Sequence, residues 1–244
     1  MGALQHNLRR RSFGASLIEL MVAISVTSII VIGAFLVMNE GLQLFRTNKR
    51  AADAQVDVLQ VLTRVTTEAV NAKVTPSEKL VRAYPEDGPG LNGIVFASPL
   101  LPDGNARIDP VTAEIYWQKL ICYYYVPGAG GEFGKIHRAE VPIPPNPAAI
   151  PAEIGPGSKD VDYVETQWLD VCDTNYFQVS PGVDRRLLGH DISGFTVQKY
   201  AGSVGGAAGV VHTAYDVVVE AGDKNNLSST GYYLKVDSRV TPRG

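Results

Sequence analysis

The sequence has few of the residues that stapled or metal-bound domains depend on. It holds two cysteines in 244 residues, Cys122 and Cys172, and neither sits in a C-x-x-C pair. That spacing excludes zinc-ribbon and thioredoxin-type motifs. In an oxidising compartment the two thiols can close one disulfide over about 50 residues, which contributes roughly 4 kcal/mol by loop entropy. The other reading is two unpaired buried thiols. The four histidines, His6, His137, His190 and His212, are scattered without metal-ligand spacing. Charge is also sparse, at 19% of residues and a formal net of −3. Loss of the first fourteen residues, with Arg9, Arg10 and Arg11, takes away three positive charges and leaves −6. A mildly acidic chain excludes nucleic-acid binding by bulk electrostatics. The basic residues Arg46, Lys49 and Arg50 then read as membrane-flanking charges.

Three further absences fall together at one end. No acid precedes Glu19, no charge lies between Leu20 and Met38, and no proline occurs before Pro76. The uncharged run, extended by Ala15 to Ile18, rises about 1.5 Å per residue as a helix and comes close to the ~30 Å hydrocarbon thickness of a bilayer. Arg9, Arg10 and Arg11 precede it, which places that end in the cytoplasm and the remainder across the membrane. A secretory signal peptide needs a small-residue cleavage site beyond the apolar core, and none follows Met38. A plain signal anchor leaves Glu19 unexplained, because a carboxylate in an apolar span costs about 2.5–3.5 kcal/mol on insertion scales.

The stretch from Gly14 through Ala15 and Glu19 to Ile24 resembles the class III signal of type IV prepilins and of type II secretion pseudopilins. The resemblance implies that a prepilin peptidase cuts between Gly14 and Ala15 and methylates the new N-terminus. Glu19 becomes the fifth mature residue and meets the terminal amine of a neighbouring subunit in a filament. A carboxylate in a first helical turn also gains from the macrodipole. The sequence departs from the family at Ala15, where phenylalanine is most common and alanine occurs in some minor members.

The expected organisation is a cleaved leader over 1–14, one long helix over 15–72 and a globular β-rich domain over 73–244. The helix is transmembrane over 15–38 and amphipathic over 41–72, with Gly33 and Gly41 as points of bending. Val58, Leu62, Val65 and Ala69 recur at helical spacing, and Leu59, Val61 and Val70 widen the stripe. Pro76 ends the pattern. Residues 73–113 read as loop-rich, with a first strand at Gly93–Ser98. Further strands are expected at Glu114–Val126, Lys135–Val141, Tyr176–Val179, Gly194–Tyr200, Val210–Ala221 and Gly231–Val240. Tyr123, Tyr124 and Tyr125 alternate between core and surface. The six prolines of 141–157 predict a surface excursion, and 201–209 a flexible hairpin loop. The fold class is therefore α+β, a long helix on a mainly antiparallel sheet. The stretches 187–200, 210–222 and 232–244 loosely resemble the C-terminal sheet of large minor pilins of the PilW type and pseudopilins of the GspJ type.

No catalytic constellation stands out, and no cofactor is expected. Residues 128–135 fail as a P-loop, since Ala129 stands at the first glycine position and Ile136 at the Ser/Thr position. Asp160, Asp162, Asp170 and Asp173 are candidate calcium ligands, with solvated surface acids as the other reading. The sequence supports a non-enzymatic minor pilin that primes or tips a type IV pilus. The resemblance implies a prepilin peptidase, other pilins and the bacterial inner membrane as partners, with the globular part expected in the periplasm. The competing readings are a type II secretion pseudopilin and a single-span anchored binding protein or enzyme of the envelope.

Overall fold

A computed structural model describes residues 16–71, 80–84, 92–129, 133–149, 153, 155–200, 214–222 and 233–240. It divides into two compact units, 1–48 and 49–244. A single helix, α1 (Leu17–Asn71), begins in the first and ends in the second. It runs unbroken through Gly33 and Gly41. Within the first unit every described residue up to Arg46 is exposed, although the segment is apolar all round. In the second unit the helix buries one stripe, Ala54, Val58, Val61, Leu62, Val65 and Ala69. The spacing is that of one helical face, and burial of each valine or leucine contributes about 1.5–3 kcal/mol. Leu59, expected on that stripe, stays 46% exposed.

The stripe packs on a seven-stranded antiparallel sheet whose strands pair in sequence order. They are β1 (Val81–Tyr84), β2 (Gly93–Ser98), β3 (Lys119–Val126), β4 (Gly134–Pro142), β5 (Asp184–Tyr200), β6 (Ala214–Gly222) and β7 (Tyr233–Val240). The sheet curls until Tyr215 Oη on β6 donates to the Val81 carbonyl on β1, at 3.2 Å. One face, with Phe96, Ile121, Tyr123 and Val217, meets α1. The opposite face, with Val95, Leu120, Cys122 and Tyr124, is covered by α2 (Val161–Val164), a π-helical turn (Glu165–Leu169) and α3 (Thr174–Val179). Burial on both faces explains why β3 reads as an apolar run without alternation. It also corrects the tyrosine expectation, because Tyr123 and Tyr124 enter opposite cores and neither reaches the surface. Space is tight where β2 begins: a Cβ on Gly93 would come within 2.5 Å of the Tyr123 carbonyl oxygen.

Several expected strands change. Tyr176–Val179 is helical, because the Asp173 side chain caps α3 by accepting from Tyr176 N at 2.7 Å. That local cap overrides the β propensity of a tyrosine–phenylalanine pair. β3 begins at Lys119 and not at Glu114; Ile115 and Trp117 make isolated bridges to Ile108 and Ser158 instead. β5 starts ten residues before Gly194. β1 lies inside the stretch expected to be loop. The proline-rich stretch is anchored and not free: Ile143 is buried in the second core, and Glu153 accepts hydrogen bonds from Asn146 N, Ser158 Oγ and Lys159 N. The 201–209 loop and residues 210–213 lie outside the described residues.

Candidate functional site

Gly14 and Ala15 lie outside the described residues. The helix they lead into opens on a reciprocal cap. Ser16 N donates to Glu19 Oε2 at 2.9 Å, and Glu19 N donates to Ser16 Oγ at 3.3 Å. This is a capping box, in which two backbone N–H groups that the first turn leaves unpaired find side-chain acceptors. Glu19 is thus held at the third helical position, pointing back along the first turn. Ser16 was not singled out from the sequence, although serine followed three residues later by glutamate at the head of an apolar run signals this cap.

The helix beyond Glu19 is long and apolar enough to cross a membrane, by length and composition. Both serines of the apolar run are satisfied within it. Ser25 Oγ donates to the Met21 carbonyl at 2.9 Å and Ser28 Oγ to the Ile24 carbonyl at 2.8 Å. Such internal pairing is what hydrocarbon demands of a polar group. Leu17, Ile18, Ile29, Ile30, Phe35 and Val37 are among the apolar side chains left exposed on this half.

Residues 9–35 match the family model of the prokaryotic N-terminal methylation motif. The match spans the arginines, Gly14, Ala15 and Glu19, and supports a type IV pilin-like protein anchored in the inner membrane by its N-terminal apolar helix. No curated protein and no solved structure matches the chain. The long helix followed by an antiparallel curled sheet is a pilin-like α+β architecture.

A second polar constellation ties the far end of α1 to the sheet. Arg138, 4% exposed on β4, places Nε 3.0 Å from Glu68 Oε2 and Nη1 2.8 Å from Glu140 Oε2. Glu68 also accepts from Tyr123 Oη at 2.7 Å, and Lys119 Nζ lies 3.1 Å from Glu140. Burial alone would lower the guanidinium pKa; the hydrogen bonds and charge of Glu68, then Glu140, outweigh it and hold Arg138 above its ordinary value. Burial, then the Glu68 charge, pushes Tyr123 up. About three turns earlier in the helix, His190 N on β5 donates to Asp57 Oδ2 at 3.1 Å.

Cys122 and Cys172 fall in the same buried cluster, as free thiols in this structure. Burial raises both, Cys172 to about 11, so neither is a thiolate at neutral pH. Three of the four candidate aspartates have other partners. Asp160 caps α2, Asp173 caps α3, and Asp170 pairs with Arg82 at 3.1 Å. Among the described residues no group of three or more His, Cys, Asp or Glu side chains is placed to hold a metal ion. His137 stacks on Tyr124, and His6 and His212 lie outside the described residues. Of the glycine-rich stretch, Gly134 and Lys135 open β4.

Proposed function

We propose that this protein is a non-enzymatic minor pilin, processed by a prepilin peptidase after Gly14 and assembled through α1 into the tip or initiating complex of a type IV pilus. The observation that carries the reading is the methylation motif over 9–35 with Glu19 fixed in the first turn of an exposed apolar helix. After cleavage the free amine of Ala15 lies one turn from Glu19. The carboxylate pairs with the amine of a neighbouring subunit, which offsets the cost of two charges in an apolar bundle and sets axial register. A globular part of about 170 residues is bulky for the repeated shaft subunit, which favours a minor position. The loosely PilW-like tail points the same way.

Co-expression with a prepilin peptidase, followed by N-terminal sequencing of the membrane fraction, tests this. The expected mature chain starts at N-methylated Ala15, and Glu19→Ala leaves cleavage intact while filament incorporation is lost. An uncut chain, or one cut beyond Met38, sinks the reading. The motif serves a GspJ-type pseudopilin equally well. Deletion of the gene separates the two: loss of surface pili with secretion intact supports the pilin, and the reverse supports the pseudopilin.

A further inference from the structure

A cleft of about 340 Å³ opens on the α1 side of the sheet, where the last turns of the helix meet β3, β4 and β5. Leu100, Leu101, Pro102 and Gly104 form one wall and Ile121 part of the floor. Four cations line it, Arg64, Lys119, Arg138 and Arg186, against two carboxylates, Glu68 and Glu140. They come from four different elements, so the concentration of charge is a product of the fold.

The two carboxylates are already committed. Glu68 accepts from Arg138, Tyr123 and Arg64, and Glu140 from Arg138 and Lys119. Among the cations only Arg138 is consumed by these pairs. Among the described residues Arg64 engages through Nε alone, at 3.3 Å from Glu68, leaving both terminal nitrogens of its fork. Among the described residues Arg186 engages through Nη2 alone, at 2.8 Å from Asp184 outside the cleft, and its side chain is 58% exposed. Lys119 spends one contact on Glu140. The lining carries two more positive than negative charges, and one more when Asp184 is counted. Guanidinium forks bind oxyanions with paired hydrogen bonds, and a concave cationic wall strengthens them over a flat one. The volume lies in the range of small-molecule sites, well above that of a single bound ion.

We propose that this cleft binds a small oxyanionic ligand, a phosphate or carboxylate group carried on a polar molecule the size of an acidic monosaccharide. Arg64, Arg186 and Lys119 contact the oxyanion, and Arg138, clamped between Glu68 and Glu140, holds the cavity open and supplies its field. The site is independent of the assembly role of α1, so failure of either reading leaves the other standing.

The test titrates the full-length chain in detergent micelles with inorganic phosphate, glucuronate and glucose, following amide shifts at Gly104 and Lys119. Phosphate or glucuronate is expected to shift both amides saturably, more weakly as salt rises, and glucose is expected to shift neither. The preferred oxyanion identifies which group the cleft was built for. Arg64→Gln with Arg186→Gln, both on partly exposed side chains, is expected to weaken binding about tenfold or more with the fold unchanged. Asp184→Asn, which releases Arg186, is expected to tighten it. Absence of saturable shifts, an equal response to glucose, undiminished affinity in the double variant, or weakening by Asp184→Asn each overturns the proposal.

Discussion

Glu68 carries three partners at once, and its removal illustrates how a buried charge differs from a surface one. Arg64 and Arg138 lie within 3.3 Å of it, and Tyr123 donates to it from the strand below. The Arg64 pair is a half-exposed i,i+4 contact of the kind that contributes a few tenths of a kcal/mol. The Arg138 pair is another matter, because that side chain is 5% exposed and has exchanged water for carboxylates. Glu68→Leu leaves the guanidinium with Glu140 alone and a tyrosine hydroxyl without its acceptor. A loss of about 3–5 kcal/mol is expected, as for other broken buried pairs. Adding Arg138→Met to Glu68→Leu is expected to recover part of it, since the uncompensated guanidinium is gone while the Tyr123 hydroxyl still lacks its acceptor and Glu140 keeps only Lys119. Urea melts of the wild type and the two variants check this, and a double variant no more stable than Glu68→Leu would show that the cost lies in the Tyr123 hydroxyl and lost packing and not in the guanidinium.

The elements were legible to different degrees, for physical reasons. α1 could be read almost to the residue, since an unbroken absence of proline and a periodic stripe leave little else to form. Glu19 stood out as a lone carboxylate in an apolar run, but its reciprocal cap with Ser16 was not read. α3 was not, because its sequence favours a strand and only the Asp173 side chain decides otherwise. The cationic cleft could not be read at all: positions 64, 119, 138 and 186 have no sequence relationship until β3, β4 and β5 pair and α1 crosses them. The cysteines stand between these cases. Their burial in one cluster, which also joins β3 to the segment between the π-helical turn and α3, puts an element-scale prediction within reach. In exported protein the two thiols are expected to be oxidised to a single disulfide, closing a loop worth roughly 4 kcal/mol of stability. Alkylation of denatured, unreduced protein, read by mass spectrometry, is expected to label neither cysteine until reductant is added. Two labelled thiols without reductant would identify them as buried free cysteines.

At the scale of the whole molecule, the two units ask opposite things of their surroundings. The residues from Ser16 to Arg46 present apolar side chains outward, with serines paired internally, and no water-facing core to hold them. From Lys49 onward the chain has its own two cores, one under α1 and one under the short helices. Such a division implies that the second unit carries its own folding free energy, and that the first depends on lipid or on other copies of the same helix. A chain that begins at Lys49 is therefore expected to stay in the soluble fraction and to unfold in one cooperative step. The buried stripe from Ala54 to Ala69 is retained in it, so the sheet keeps its helical cover. The full chain is expected to sediment with membranes and to need detergent for extraction. A cut placed later, at Thr66, removes Ala54, Val58, Val61, Leu62 and Val65 from the first core, at about 1.5–3 kcal/mol for each of the four larger side chains. That total equals the whole stability of an ordinary domain. The shorter chain is accordingly expected to aggregate or to lose its near-ultraviolet circular dichroism. A soluble, cooperatively folded fragment from Thr66 would mean that the sheet holds its shape without α1, and the packing of the helix stripe would then serve assembly alone.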